Sequence, residues 1–154
     1  MAIYKEPFPA NTRGDEFGNL AAYRKGRPHR GQDWAPGEGK TIPAITAGKV
    51  IAIEWSDALG YTVTQNTTDG LFVLYAHLAA KPNLSIGHVL KLGDPIGKVG
   101  TTGLASTGFH LHLSIAKSKN VAVCIYDKLI DPLTKFVKTE AEKPTPVKKA
   151  VKKK

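Results

Sequence analysis

His110 and His112 flank Leu111 in the run Gly108-Phe-His-Leu-His-Leu-Ser-Ile115, where polar and apolar side chains alternate strictly from His110 onward. Period-two alternation is the pattern of a half-buried strand, so His110, His112 and Ser114 are expected on one face and Leu111, Leu113 and Ile115 on the other, against a core. Two rises of about 3.3 Å separate the histidine Cα atoms by roughly 6.5 Å, near enough for both rings to reach one metal ion or its water. A second pair, His29 and Asp33, brackets Gly31. Catalytic zinc sites take three nitrogen or oxygen ligands and keep one position for water. His29, Asp33 and His112 fill that set. Two neutral imidazoles and one carboxylate leave such a site a net charge near +1, so one zinc ion per chain would remain a strong Lewis acid and bring the pKa of bound water towards ~7. His77 and His110 are then free to take a proton from that water, pass one to a leaving amine, or hydrogen-bond an oxyanion, in an order that the residues leave open. His88 lies in a turn with no partner at useful spacing and reads as ordinary surface.

Several short segments must position these groups. Residues 1–28 are rich in Gly, Pro, Asn and charge and read as a loop-dominated entry, with a turn cluster from Thr12 to Gly18. Pro28, Gly31, Pro36, Gly37 and Gly39 argue against a helix around His29 and Asp33 and for a tight turn or short strand. Runs at 41–45, 48–55, 61–65 and 71–77 read as strands, with turn chemistry at Asp57-Ala-Leu-Gly60 and a hairpin closed by Asn66-Thr-Thr-Asp-Gly70. The glycine-rich stretch 100–108 feeds the His110 strand. No segment keeps a long 3.6-residue period, so the chain is expected to be mainly β, with at most a short helical turn between 131 and 137.

The 154 residues fit one domain, placed at 1–137, followed by a tail at 138–154. The net charge of +9 is concentrated there, since 138–154 holds seven lysines against Glu140 and Glu142. Such a stretch lacks the apolar mass to fold and reads as a disordered cationic extension, either merely solubilising or drawn to anionic wall polymers, lipid or nucleic acid. The only cysteine, Cys124, excludes an internal disulfide and reads as a small buried thiol in the apolar run 121–126. No membrane span and no secretory leader is visible, which leads to the expectation of a soluble monomer made in a host cytoplasm.

In order and spacing these residues resemble the lysostaphin-type (LytM-like) zinc endopeptidases of bacterial peptidoglycan, over roughly residues 13–137. Phe17-Gly18 is similar to that family's entry turn, His29-x-Gly31-x-Asp33 to its first ligand motif, and Thr41-Ile-Pro-Ala44 with Gly48-Lys-Val50 to the strand pair after it. Tyr75-Ala-His77-Leu78 resembles its Tyr-x-His-Leu motif. Gly97-x-x-Gly100-x-Thr102-Gly103 and Ser106-Thr-Gly-x-His110-Leu111-His112 resemble the loop and strand that close the site. The resemblance implies His29, Asp33 and His112 as zinc ligands, His77 and His110 as catalytic, and an antiparallel sheet as the floor of a loop-walled groove holding an extended peptide, in the manner of a duplicated hybrid motif. Gln32 stands where an aliphatic residue is usual, Phe109 where proline is, and Leu113-Ser114 where Phe-Glu is common; these bear on substrate preference more than on activity. Non-catalytic relatives lack some of the five residues, and this chain keeps all five.

A phage lysin that hydrolyses an amide of the stem peptide or cross-bridge, acting on the wall after release from the host, is therefore the leading expectation. The alternative is a zinc-bound but idle virion component or wall-hydrolase activator, which turnover on purified peptidoglycan distinguishes. A nucleic-acid binder driven by the basic tail ranks below both, because it gives no reason for the five placed residues.

Overall fold

The computed structural model describes residues 2–137; the 138–154 tail lies outside the described residues. Nine strands carry the fold: β1 (Gln32–Trp34), β2 (Thr41–Pro43), β3 (Gly48–Ser56), β4 (Gly60–Thr67), β5 (Phe72–Leu78), β6 (Val89–Leu90), β7 (Pro95–Lys98), β8 (Leu111–Ala116) and β9 (Leu129–Ile130). Among the described residues every pairing between these strands is antiparallel. The main sheet runs β1-β8-β5-β4-β3-β6 with β9 added to β8, and β2 and β7 form a separate two-stranded sheet. Among the described residues, helix is confined to 3-10 turns of three residues, one of them at Pro132–Thr134. The mainly β expectation holds, and so does the hairpin between β4 and β5.

Alternation decides which side of the sheet becomes core. Val63, Val73, Tyr75, Leu111, Leu113 and Ile115 bury one face together with Trp34, against Ile42, Ile45 and Ile96 from outside the main sheet. At about 1.5–3 kcal/mol per fully buried large apolar side chain, a one-residue slip of β8 would forfeit several kcal/mol by sending Leu111, Leu113 and Ile115 to the other side. The same register sets Asp33 opposite His112 and Ala76 opposite His112 on the remaining face. Tyr75 enters the core with its hydroxyl satisfied, donating to Gln65 Oε1 (2.6 Å) and accepting from the Ile45 amide (3.0 Å).

Three features depart from the sequence expectation. His110 precedes β8 and makes an isolated bridge to Gly100 instead of continuing the strand. All six residues of β8 are buried, so His112 and Ser114 lie at the bottom of a recess and not on an open face. Cys124 sits in a turn, half-buried.

β1 lies against β8 only because residue 31 has no side chain. A Cβ on Gly31 would stand 2.2 Å from the Leu113 carbonyl oxygen and 2.8 Å from Ser114 Oγ. That closeness brings the His29–Asp33 segment within ligand distance of His112.

Candidate active site

His29 is fixed at both backbone and ring by the preceding turn. Its carbonyl accepts from the Gly18 amide (2.8 Å), its amide donates to Asn19 (2.9 Å), and Nδ1 donates to the Glu16 carbonyl (3.0 Å). A carbonyl can only accept, so the proton is on Nδ1 and Nε2 carries a bare lone pair. Asp33 is held by β8 on one side and by residues 14 and 15 on the other, its amide donating to Asp15 (3.0 Å) and its carbonyl accepting from Gly14 (2.8 Å). His112 projects from β8 into the same space. His29 Nε2, Asp33 Oδ1 and His112 Nδ1 meet there: 3.2 Å between the two nitrogens, 3.0 Å from Oδ1 to His112 and 3.4 Å from Oδ1 to His29.

These separations match a bound cation. Zinc bonds of about 2.0–2.1 Å in tetrahedral geometry place ligand atoms about 3.3 Å apart, close to the three edges observed. Among the described residues this trio is the one group of three His, Cys, Asp or Glu side chains able to hold a metal ion.

His77 arrives by a different device. Between the pairs Tyr61 with Leu78 and Val63 with Tyr75, β4 has one residue and β5 has two, a bulge formed by Ala76 and His77. His77 has φ of 62°, left-handed and unusual for a residue with a side chain. Strict alternation would leave His77 on the core side with Tyr75. The bulge turns it over to the His112 side, with ring centroids 4.7 Å from His110 and 6.2 Å from His112. Strain of this kind, on the order of 1–3 kcal/mol, gathers where function requires it.

Thr102 holds His77 in place, a task that sequence reasoning did not assign although Thr102 lies within a quoted motif. Its carbonyl accepts from His77 Nδ1 (2.7 Å), and its hydroxyl donates to the Leu78 carbonyl (2.6 Å) and accepts from the Tyr61 amide (3.2 Å). The loop reaches this position because a Cβ on Gly60, at φ +69°, would lie 2.1 Å from Thr102 Oγ1. His110 Nδ1 donates to the Gly108 carbonyl (2.9 Å), and its Nε2 is 3.7 Å from Asp33 Oδ2. Both His77 and His110 therefore turn Nε2 away from the backbone. All five expected residues line one cleft of about 1000 Å³, whose lining also includes Tyr23, Arg24, Arg27, Leu104 and Phe109. His88 is exposed, away from this cleft.

Burial sets the protonation states. It pushes His77 down to about 4, helped by repulsion from His110 and His112 and opposed by the Thr102 carbonyl. Burial also lowers His112, against the pull of Asp33. For Asp33, burial would raise the pKa, but the favourable interactions of its carboxylate with His112 and His29 outweigh it and hold the carboxyl well below the usual carboxylate range. At neutral pH the recess thus holds a carboxylate beside neutral His77 and His112 rings.

A pH dependence of stability follows. An unfolded histidine titrates near ~6.5, whereas folded His77 does so at about 4. Between those values the unfolded chain binds a proton that the folded chain does not, so stability is lost as pH falls from ~6.5 to ~4, up to about 3 kcal/mol from His77 alone. His112 acts with the same sign. Calorimetry of the metal-free chain should show Tm falling across that window, and a Tm that is flat from pH 6.5 to 4 would contradict the assignment.

The chain is similar to known peptidases in both sequence and fold. The model of Peptidase family M23 matches residues 27–124. An uncharacterized metalloprotease of Buchnera aphidicola is 35% identical over 98 residues, which are 64% of this chain and 26% of that protein. The chain thus spans about a quarter of the length of that curated relative. Among solved structures, the catalytic domain of the antimicrobial peptidase lysostaphin from Staphylococcus simulans superposes with a TM-score of 0.69 at 30% identity, covering 79% of this chain and 89% of that one. The catalytic domain of EnpA, a prophage-encoded M23 protein of Enterococcus faecalis, gives 0.70 at 27% identity, covering 84% and 95%.

Proposed function

The chain belongs to peptidase family M23, and from that premise we propose that it is a zinc-dependent endopeptidase cutting a peptide bond in the stem peptide or cross-bridge of bacterial peptidoglycan. The observation that carries this reading is the meeting of His29 Nε2, Asp33 Oδ1 and His112 Nδ1 within one cleft that also holds His77 and His110.

Those three atoms would hold a zinc ion, which would supply Lewis acidity towards the scissile carbonyl and water. The protein's own groups manage the rest. His77 is neutral at neutral pH, so its Nε2 lone pair is open to accept a proton. Thr102 fixes the ring so that this nitrogen, and not Nδ1, faces the cleft. His110, 3.7 Å from Asp33 Oδ2, is suited to donate to the developing oxyanion or the leaving amine once protonated. Asp33 stays ionised and stabilises positive charge on its neighbours.

The sheet gives an extended substrate somewhere to lie. A second cleft of about 590 Å³, lined by Ala52, Trp55, Thr62 and Thr64 among others, shares Leu59, Leu74 and Ala122 with the first. From β8 across β5 and β4 to β3 are three strand spacings of about 4.8 Å, room for roughly four extended residues.

The reading extends to a phage lysin made in the host cytoplasm and acting on the wall after release, which the likeness to a prophage-encoded M23 protein supports. The lysines of 138–154 would add attraction to anionic wall polymers. Mass spectrometry of fragments released from purified peptidoglycan tests the proposal. New amine and carboxyl termini within the stem or bridge, absent when a chelator is present, are expected; no released fragments, or release indifferent to chelator, would overturn it.

A further inference from the structure

Ser114 lies directly behind His112 and is 2% exposed. Its hydroxyl makes two polar contacts, with His112 Nε2 at 2.9 Å and with the Arg30 carbonyl oxygen at 3.1 Å. A hydroxyl has one proton and a carbonyl has none to give, so both contacts are hydrogen bonds only in one arrangement. The hydroxyl proton goes to Arg30, and the imidazole must donate its Nε2 proton to Ser114. His112 Nδ1, the atom facing Asp33 and His29, is then left with its lone pair free.

We infer that Ser114 is a positioning residue that selects the Nδ1-free tautomer of His112 and ties the two ligand-bearing segments together through one hydroxyl. The inference rests on the proposed role of His112 as a metal ligand. The tie spans both segments: Arg30 belongs to the stretch between His29 and Asp33, and His112 and Ser114 belong to β8. Arg30 is itself anchored, its guanidinium donating to the carbonyls of Val121 (3.0 Å) and Cys124 (2.7 Å). Room for the arrangement depends on Gly31, where a Cβ would stand 2.8 Å from Ser114 Oγ.

Without the hydroxyl, the Nε2 proton loses the acceptor that Ser114 provides. The ring gains by moving that proton to Nδ1, where Asp33 Oδ1 accepts it at 3.0 Å. This alternative blocks the lone pair that a metal needs. Groups that hydrogen-bond the far nitrogen of a ligating histidine typically alter metal affinity about 10- to 100-fold.

Two readouts test this on the purified full-length chain. Long-range nitrogen-15 NMR of the metal-free protein at pH 7 should find His112 protonated at Nε2 in the wild type and at Nδ1 in Ser114→Ala. Competition with a zinc chelator should give a zinc Kd about 10- to 100-fold weaker for Ser114→Ala, and a smaller loss for Ser114→Cys, which keeps a weak acceptor and serves if the alanine variant does not fold. A wild-type His112 protonated at Nδ1, or an unchanged tautomer with a Kd within twofold in Ser114→Ala, would overturn the inference. Failure of the wild type to bind zinc at all would instead count against the metal site itself.

Discussion

Asp33→Ala is expected to purify without metal and to cleave wall peptides at least about 10³-fold more slowly than the parent chain, as read by metal analysis and release of new amine termini. The carboxylate is the one anionic member of the trio, and both imidazoles lean on it, at 3.0 Å for His112 and 3.4 Å for His29. Its removal leaves two neutral donors and takes away the charge that favours a divalent cation. Stability should fall with it. A ligand present at a thousandfold its Kd contributes about 4 kcal/mol to folding, a share that the variant cannot recover by adding zinc. His29→Ala and His112→Ala should behave alike, and full metal content in any of the three would contradict the ligand assignment.

His77→Gly is expected to divide the functions the other way, keeping zinc near one per chain while turnover falls about 10²- to 10⁴-fold, the usual worth of a positioned proton-transfer group. Glycine suits this position because φ is 62°. Relief of backbone strain offsets part of the packing lost with the ring, so Tm should change little. His110→Ala, outside the strand and less tightly enclosed, should likewise retain zinc and lose turnover. Parallel loss of metal and activity in His77→Gly would move His77 from proton handling to metal binding.

Much of this site was legible in the chain itself. Alternation from His110 to Ile115 located β8 and its core face, because a strand that buries Leu111, Leu113 and Ile115 has a single favourable register. The spacing of His29, Gly31 and Asp33 pointed to a ligand pair on a turn or short strand; Asp33 lies on β1 and His29 in the segment just before it. What stayed hidden depends on contacts between residues far apart in sequence. Alternation cannot reveal a bulge, so the turn that carries His77 across the sheet had no local signal beyond its place at a strand end. Thr102 acts partly through its carbonyl, which every residue possesses, so nothing in its side chain advertised the contact with His77. Ser114 was placed on the right face, but its link to Arg30 exists only after β1 docks on β8. His110 read as part of the strand because pattern alone does not register that its pairing is with Gly100 and not with β5.

The most direct measurement is an anomalous difference map at the zinc edge from crystals of the chain grown with zinc. One peak about 2.0–2.2 Å from His29 Nε2, Asp33 Oδ1 and His112 Nδ1 is the predicted result, with His77 and His110 outside bonding distance. No peak between those three atoms, or a peak bound through His77 or His110 in place of one of them, would contradict it.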